Sequence, residues 1–377
     1  MSSAADIDRR HLARAIELAE QGRGRVSPNP LVGAVVAREG EVLGEGWHAA
    51  YGRAHAEVEA LAAAGDDLRE ATLYVSLEPC CHHGKTPPCT DAILAAGIGR
   101  VVVASDDPSE KASGRGLGIL RDEGVTVEVA DGDLADRARL LNQPFRKHAR
   151  TRRPWVVFKA AMSLDGKVAT SSGESKWISS AESRRLVHQW RAEIDAVAVG
   201  IGTALADDPR LTARDVPASA DADLSQPRRV IFDSTARLPL DSKLVAAAGE
   251  VPLTVVASRA AHRADLGALE AAGADVVVAT GENDPAHVRS ALQRLGEQGI
   301  TSMLLEGGPR LAGAFLDAGE IDEMRLFLAP IVLGGHMARD PLEGMGAESV
   351  AHAHRALSLS CDRVGSDVLL CARLKEW

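Results

Sequence analysis

Short apolar runs alternate with helical stretches along nearly all of this chain, and the alternation breaks once, at RKHARTRRP between Arg146 and Pro154. Before the break LVGAVVA, EVLGEGWH, ATLYVSLEP, RVVVAS and VTVEVA read as strands, with helices over AEVEALAAAG, TDAILAAG and LGILRDEG. After it PWVVFKAAM, AVAVG, RRVIF, LTVVAS, DVVVAT and SMLLEGG read as buried strands, and SAESRRLVHQWRAE and RLAGAFLDAG as helices. Strands joined by helical crossovers define an α/β fold. The basic, proline-terminated break reads as a linker, so two domains are expected, 1–149 and 154–377. A length of 377 residues fits two domains of ordinary size. Pro217 to Gln226 is expected to be a surface insertion, and the segment around Val364 to Leu374 an antiparallel edge.

Charge narrows the partners. Lys plus Arg is 43 and Asp plus Glu is 53, a net charge of −10, which makes extended nucleic-acid binding unfavourable while leaving room for a local phosphate pocket. No apolar run approaches the ~20 residues of a membrane span, and the opening MSSAADIDRRHLARAIELAEQG alternates charged and apolar residues at helical spacing. The expectation is a cytoplasmic protein with a small-molecule partner and neither membrane nor nucleic acid.

Three of the 5 cysteines, Cys80, Cys81 and Cys89, crowd together with His82 and His83, which in a cytosolic chain points to metal ligation. His55-Ala56-Glu57 opens a helix, and Cys80 and Cys89 flank the insert CHHGKTPP. One imidazole and two thiolates leave the fourth position of a tetrahedral zinc open, as catalytic sites do. Glu57 is placed two residues from a ligand to shuttle protons to a leaving amine. A structural zinc site would need a fourth ligand, for which Cys81, His82 and His83 are available. The zinc-deaminase pattern H-x-E…P-C-x-x-C is not met literally, because the insert stretches the cysteine spacing.

PNPLVGAV, HAEVEAL and EPCCHHGKTPPC, in that order, resemble the deaminase half of the bifunctional pyrimidine deaminase/reductase family of riboflavin biosynthesis, which has this stretched spacing. The resemblance implies a cytidine-deaminase-like α/β/α sandwich, in which His55, Cys80 and Cys89 hold zinc and Glu57 is catalytic. It further implies that Asn29 hydrogen-bonds the pyrimidine, His48 lies against it and Lys85 meets its phosphate. SGRGLG, Ser113 to Gly118, lacks a full dinucleotide fingerprint and reads as a turn opening a helix.

The second half resembles the same family's reductase, with a dihydrofolate-reductase-like fold, through KAAMSLDGK from Lys159, SGESKWIS, TALADDPRLTAR and LLEGGPRLAGAFL. From the residues themselves, Glu306-Gly307-Gly308-Pro309-Arg310 between strand and helix suits a pyrophosphate at a helix N-terminus. The resemblance implies that Ala161, Trp177, Thr203, Asp207, Ser234 and the turn Gly308, Pro309, Arg310, Leu311, Ala312, Gly313 and Ala314 contact NADP. Ser175, Arg191, Leu211, Arg214 and Glu306 would contact substrate, Arg191 and Arg214 at its phosphate. Ser234 and Arg237 are placed to meet the cofactor's 2′-phosphate. Lys159, Asp207 and Glu306 are unranked as source of the proton that reduction needs. The implied enzyme carries Zn²⁺ and NADPH, deaminates a phosphoribosylamino-pyrimidine, reduces its ribosyl chain, and forms a homo-oligomer. A single-activity zinc deaminase with a regulatory nucleotide-binding half is the alternative.

Overall fold

A computed structural model describes residues 3–216 and 226–377. Apart from Gln226, the insertion expected at Pro217 to Gln226 lies outside the described residues. The chain divides into two compact units, Met1–Thr151 with Trp377, and Arg152–Glu376.

The first unit runs α1 (Ala4–Ala19), β1 (Gly33–Arg38), β2 (Glu41–Trp47), α2 (Ala56–Ala64), β3 (Thr72–Val75) and α3 (Cys89–Ala95). It continues with β4 (Arg100–Val103), α4 (Arg115–Asp122), β5 (Thr126–Val129), α5 (Gly132–Leu141) and α6 (Gln143–Thr151). The sheet order is β2-β1-β3-β4-β5, with β3, β4 and β5 parallel and β1 antiparallel to both of its neighbours. Alternate strand residues face opposite layers. Val36, Leu73 and Val101 pack under Ala60 of α2, Ile93 of α3 and Leu120 of α4, while Val35, Tyr74 and Val102 pack under Leu12 and Ile16 of α1 and Leu134 of α5. Covering both faces is why the strands read as unbroken apolar runs. Helix α2 sits close on β2 because Gly46 has no side chain; a Cβ there would stand 2.4 Å from the Ala60 nitrogen.

The basic break is not a linker over its whole length. RKHART continues α6, in which Arg146 and Lys147 are buried. Arg146 donates to the Trp377 carbonyl at 2.6 Å, the Asp106 carbonyl at 2.8 Å and Ser105 Oγ at 3.3 Å. A count of charges could not reveal these acceptors, which make burial of a guanidinium tolerable.

The second unit runs β6 (Trp155–Met162), α7 (Ala181–Glu193), β7 (Ala196–Gly200), α8 (Ile201–Asp207), β8 (Arg228–Phe232), α9 (Lys243–Ala246) and β9 (Leu253–Ala257). There follow α10 (Arg263–Ala271), β10 (Asp275–Val278), α11 (Asp284–Glu297), β11 (Ser302–Leu305), α12 (Pro309–Asp317), β12 (Glu323–Leu328), β13 (Ser358–Val364) and β14 (Asp367–Arg373). The order is β10-β9-β8-β7-β11-β6-β12-β14-β13, parallel as far as β12 and closed by the antiparallel pair β14 and β13. Phe158, Val230, Leu292, Met303 and Phe315 belong to one buried core. Glu306 and Ser234 follow the carboxyl ends of β11 and β8, Thr203 lies in α8 just after β7, and Lys159 lies within β6 next to Phe158, the partner of Leu305, at the edge of a parallel sheet where ligands are bound.

Candidate active sites

His55 stands at the N-cap of α2 in extended conformation but makes no capping hydrogen bond. Its ring is turned instead to two cysteines, Nδ1 lying 3.2 Å from Cys89 Sγ and 3.5 Å from Cys80 Sγ. Cys89 opens α3 and Cys80 follows β3, so strand end and helix starts converge. The three donor atoms lie within 4.8 Å of one another. Zinc bonds of about 2.0 Å to nitrogen and 2.3 Å to sulfur, set tetrahedrally, separate those atoms by about 3.5 Å, so the donor set fits zinc in both chemistry and spacing. Cys81 does not join it; its thiol faces the Lys111 carbonyl at 3.7 Å.

Two thiols and an imidazole this close share protons. Cys80 is held as thiolate, pulled down to about 4 by the hydrogen bond from Cys89 and then by those from His55 and the Cys89 amide, while Cys89 is pushed up. His55 is raised by its contact with Cys80. Glu57, in the first turn of α2, is 3% exposed, and burial, reinforced by the Cys80 charge, pushes its carboxyl up to about 7. A carboxyl poised near neutrality can both take and give a proton.

Asn29 and His48 adjoin this centre. His48 is buried, and its ring meets that of His55 edge-on at 5.2 Å. Its Nδ1 donates to the Ala54 carbonyl at 3.0 Å, leaving Nε2 to accept from Asn29 Nδ2 at 3.1 Å. Burial lowers the His48 pKa and favours this neutral form. Lys85 is exposed, with its ammonium 4.0 Å from the centroid of the Tyr51 ring.

In the second unit one cavity of about 1730 Å³ is lined by Lys159, Ala161, Ser175, Trp177, Arg191, Thr203, Asp207, Leu211, Arg214, Ser234, Arg237 and Glu306. Gly308, Pro309, Arg310, Leu311 and Ala314 line it too, but Ala312 and Gly313 do not. Those two point inward from α12: Ala312 is fully buried in the core, and a Cβ on Gly313 would stand 1.8 Å from the Glu343 carbonyl oxygen. A helix turns about 100° per residue, so a contiguous run cannot all face one ligand. Gly307 and Gly308 have φ of 116° and 80°, values that side chains disfavour. Trp177 is 70% exposed, with the Arg184 guanidinium 4.5 Å from its ring, so it is no core aromatic.

Arg191, which also lines this cavity, is held by other residues of the chain. Its Nε and Nη2 form a bidentate pair with Glu306 at 2.5 and 2.8 Å, and Nη1 donates to the Thr212 carbonyl at 3.1 Å. Lys159 Nζ stands 4.0 Å from the same carboxylate. Burial opposes ionisation of Glu306, yet Arg191 and then Lys159 hold its carboxyl below the ordinary value, while burial lowers the Lys159 ammonium. Asp207 pairs with Lys176 at 2.9 Å. Arg214 remains exposed on the cavity wall. Three residues without an expected role also meet these sites: Thr86, 3.3 Å from His55 Nε2; Lys176; and His188, whose Nδ1 donates to the Thr212 carbonyl at 3.1 Å. Only Thr86 carried a local signal, its place in the insert between two metal-type cysteines.

Fold and sites together define a class, a zinc-type deaminase unit joined in one chain to a parallel-sheet reductase unit. Residues 5–105 match the cytidine and deoxycytidylate deaminase zinc-binding region, and residues 154–370 the RibD C-terminal domain. The riboflavin biosynthesis protein RibD of Actinobacillus pleuropneumoniae is 41% identical over 365 residues, 97% of this chain and 94% of that one; RibD of Escherichia coli is 39% identical over 383 residues, 96% and 98%. The solved RibD of Acinetobacter baumannii, form 2, superimposes with a TM-score of 0.86 at 36% identity, covering 99% of this chain and all of that one. A Thermotoga maritima structure gives 0.82 at 34% identity, covering 99% and 100%. The chain belongs to the RibD family. It is a bifunctional enzyme of riboflavin biosynthesis, a zinc-dependent deaminase and an NADPH-dependent reductase. A single-activity deaminase is not favoured, since the relatives match through both halves. No described helix is long and apolar enough to cross a membrane.

Proposed function

We propose that the first unit removes the 2-amino group of 2,5-diamino-6-(5-phosphoribosylamino)pyrimidin-4-one, and that the second reduces the ribosyl chain of the product at C1′ to a ribityl chain. The observation that carries this reading is the gathering of His55, Cys80 and Cys89 within 4.8 Å beside the buried Glu57. The Thermotoga maritima relative is a diaminohydroxyphosphoribosylaminopyrimidine deaminase/5-amino-6-(5-phosphoribosylamino)uracil reductase, and such substrates suit both sites here.

In the first unit His55 Nδ1, Cys80 and Cys89 hold the metal. Zinc bound there supplies the Lewis acidity that makes water nucleophilic near neutral pH. Glu57 takes a proton from the attacking water and delivers it to the departing nitrogen, so that a C–N bond gives way to C=O and ammonia leaves. Asn29, oriented by neutral His48, hydrogen-bonds the pyrimidine edge, and Lys85 meets the phosphate.

In the second unit Ala161, Trp177, Thr203, Asp207, Ser234, Gly308, Pro309, Arg310, Leu311 and Ala314 hold the cofactor, with Arg237 at the 2′-phosphate. NADPH bound there supplies the electron pair and hydrogen for C1′. Lys159 gives the proton that completes the reduction, because burial loosens its hold on that proton while Glu306 stays ionised beside Arg191. Ser175, Leu211 and Glu306 frame the sugar, with Arg191 braced against Glu306 and the exposed Arg214 at the phosphate. This reading places the enzyme in the cytoplasm as a homo-oligomer; the exposed edge strand β13, with Leu359 68% exposed, supports an assembly surface.

Metal analysis tests the central feature. Wild-type protein carries about one zinc per chain; Cys89→Ser loses the metal and ammonia release together, and Cys81→Ser keeps both. Metal retained in Cys89→Ser and lost in Cys81→Ser overturns the ligand set.

A further inference from the structure

The insert CHHGKTPP, which stretches the cysteine spacing, has no part in the chemistry described above beyond Lys85. Within it, Thr86 Oγ1 lies 3.3 Å from His55 Nε2, on the side of the imidazole opposite the two sulfurs. We infer that Thr86 is a positioning residue: its hydroxyl accepts the Nε2–H of His55, fixes the tautomer that leaves the Nδ1 lone pair free for metal, and locks the ring toward Cys80 and Cys89. The inference rests on the ligand set proposed above.

The tautomer argument is simple. An imidazole that binds metal through Nδ1 must carry its proton on Nε2, and that proton needs an acceptor, which in most metal sites is a carboxylate, a carbonyl or water. Here the position is taken by a half-buried threonine.

Chain geometry explains why this threonine can do it. Thr86 is joined to Cys89 through Pro87 and Pro88, whose rings fix φ, and Pro88 is the N-cap of α3 with φ −59° and ψ 140°. The Thr90 amide donates to the Cys80 carbonyl at 3.2 Å, and the Gly84 amide to the Thr86 carbonyl at 3.1 Å. One stiff segment therefore presents a sulfur to one edge of the imidazole and a hydroxyl to the other, while the His48 ring, edge-on at 5.2 Å, adjoins it. Thr86 belongs to the insert that stretches the cysteine spacing beyond Cys-x-x-Cys, so the insert acquires a purpose.

Zinc affinity of the full chain, measured by competition with a chromophoric chelator, tests the inference without recourse to activity. Thr86→Val, which keeps the shape and removes the acceptor, weakens zinc binding roughly 10- to 100-fold, the usual consequence of losing an outer partner of a ligating histidine. Thr86→Ser restores affinity close to the wild-type value. The circular-dichroism spectrum and melting transition of the chain stay normal in both variants and report that the first unit is folded, and NADPH-dependent reduction of deaminated substrate reports the same of the second. Wild-type affinity in Thr86→Val, or a loss in Thr86→Ser equal to that in Thr86→Val, overturns the inference. Cys89→Ser separates the two levels: if it loses zinc while Thr86→Val does not, only the role of Thr86 falls, and if it keeps zinc, the ligand set falls and Thr86 with it.

Discussion

In the first unit the furthest-apart metal donors, His55 and Cys89, are separated by 34 positions and contact one another directly, whereas in the second Arg191 and Glu306 are separated by 115. The near site is assembled by a strand end and two helix starts. The far one exists only because β6, β7 and β11 lie side by side, bringing Lys159 of β6 level with Glu306 at the end of β11, where Arg191 from α7 meets them. The difference shows in the energetics. The metal site is set by residue type and short-range geometry, with its buried acid left protonatable. The reductase site is set by a buried ion pair whose partners must both be present.

Three single substitutions and one double variant probe that contrast. Glu57→Gln has the largest expected effect: deamination falls by about 10²- to 10⁴-fold, the share of general acid–base catalysis, while zinc content and thermal stability hold. A drop in melting temperature, or near-normal turnover, would show that Glu57 is structural. Arg191→Ala acts in the opposite way. It leaves the Glu306 carboxylate buried without its bidentate partner and costs the second unit about 3–5 kcal/mol, seen as a lowered melting transition. The pair also fixes a pH dependence. Because Glu306 is held below its ordinary value of 4.5, the stability it contributes is complete above that unfolded value and is lost only as pH falls through the lowered native one. In the presence of Arg191→Ala, added Glu306→Gln recovers part of the loss; an additive double mutant would dissolve the pair as an energetic unit. The smallest effect belongs to Arg237→Ala, which raises the KM for NADPH roughly tenfold, the weak end of a charge-assisted contact, and narrows the preference over NADH. An unchanged preference would move 2′-phosphate recognition away from Arg237.

What was legible in the sequence follows the same division. His55, Cys80, Cys89 and Glu57 announce themselves because few residue types ligate zinc and they fall close together. The strands of both units were readable as apolar runs because helices cover their sheets. The pairing of Arg191 is not legible in the sequence, since nothing local shows that β11 delivers Glu306 to it. Ala312 and Gly313 were swept in with their neighbours, although helical rotation turns them into the core. The helical stretch of RKHART hid behind its charges, whose acceptors at Ser105, Asp106 and Trp377 lie far away in the chain.

That one chain deaminates and then reduces is tested most directly by NADPH oxidation, followed together with ammonia release, in wild type and Cys89→Ser. Wild type given the diamino substrate releases one ammonia for each NADPH oxidised. Cys89→Ser oxidises no NADPH with the diamino compound but turns over the deaminated one at the wild-type rate. Reduction of the diamino compound by Cys89→Ser, or wild-type release of ammonia with no NADPH consumed, would contradict the order of the two steps or the existence of the second.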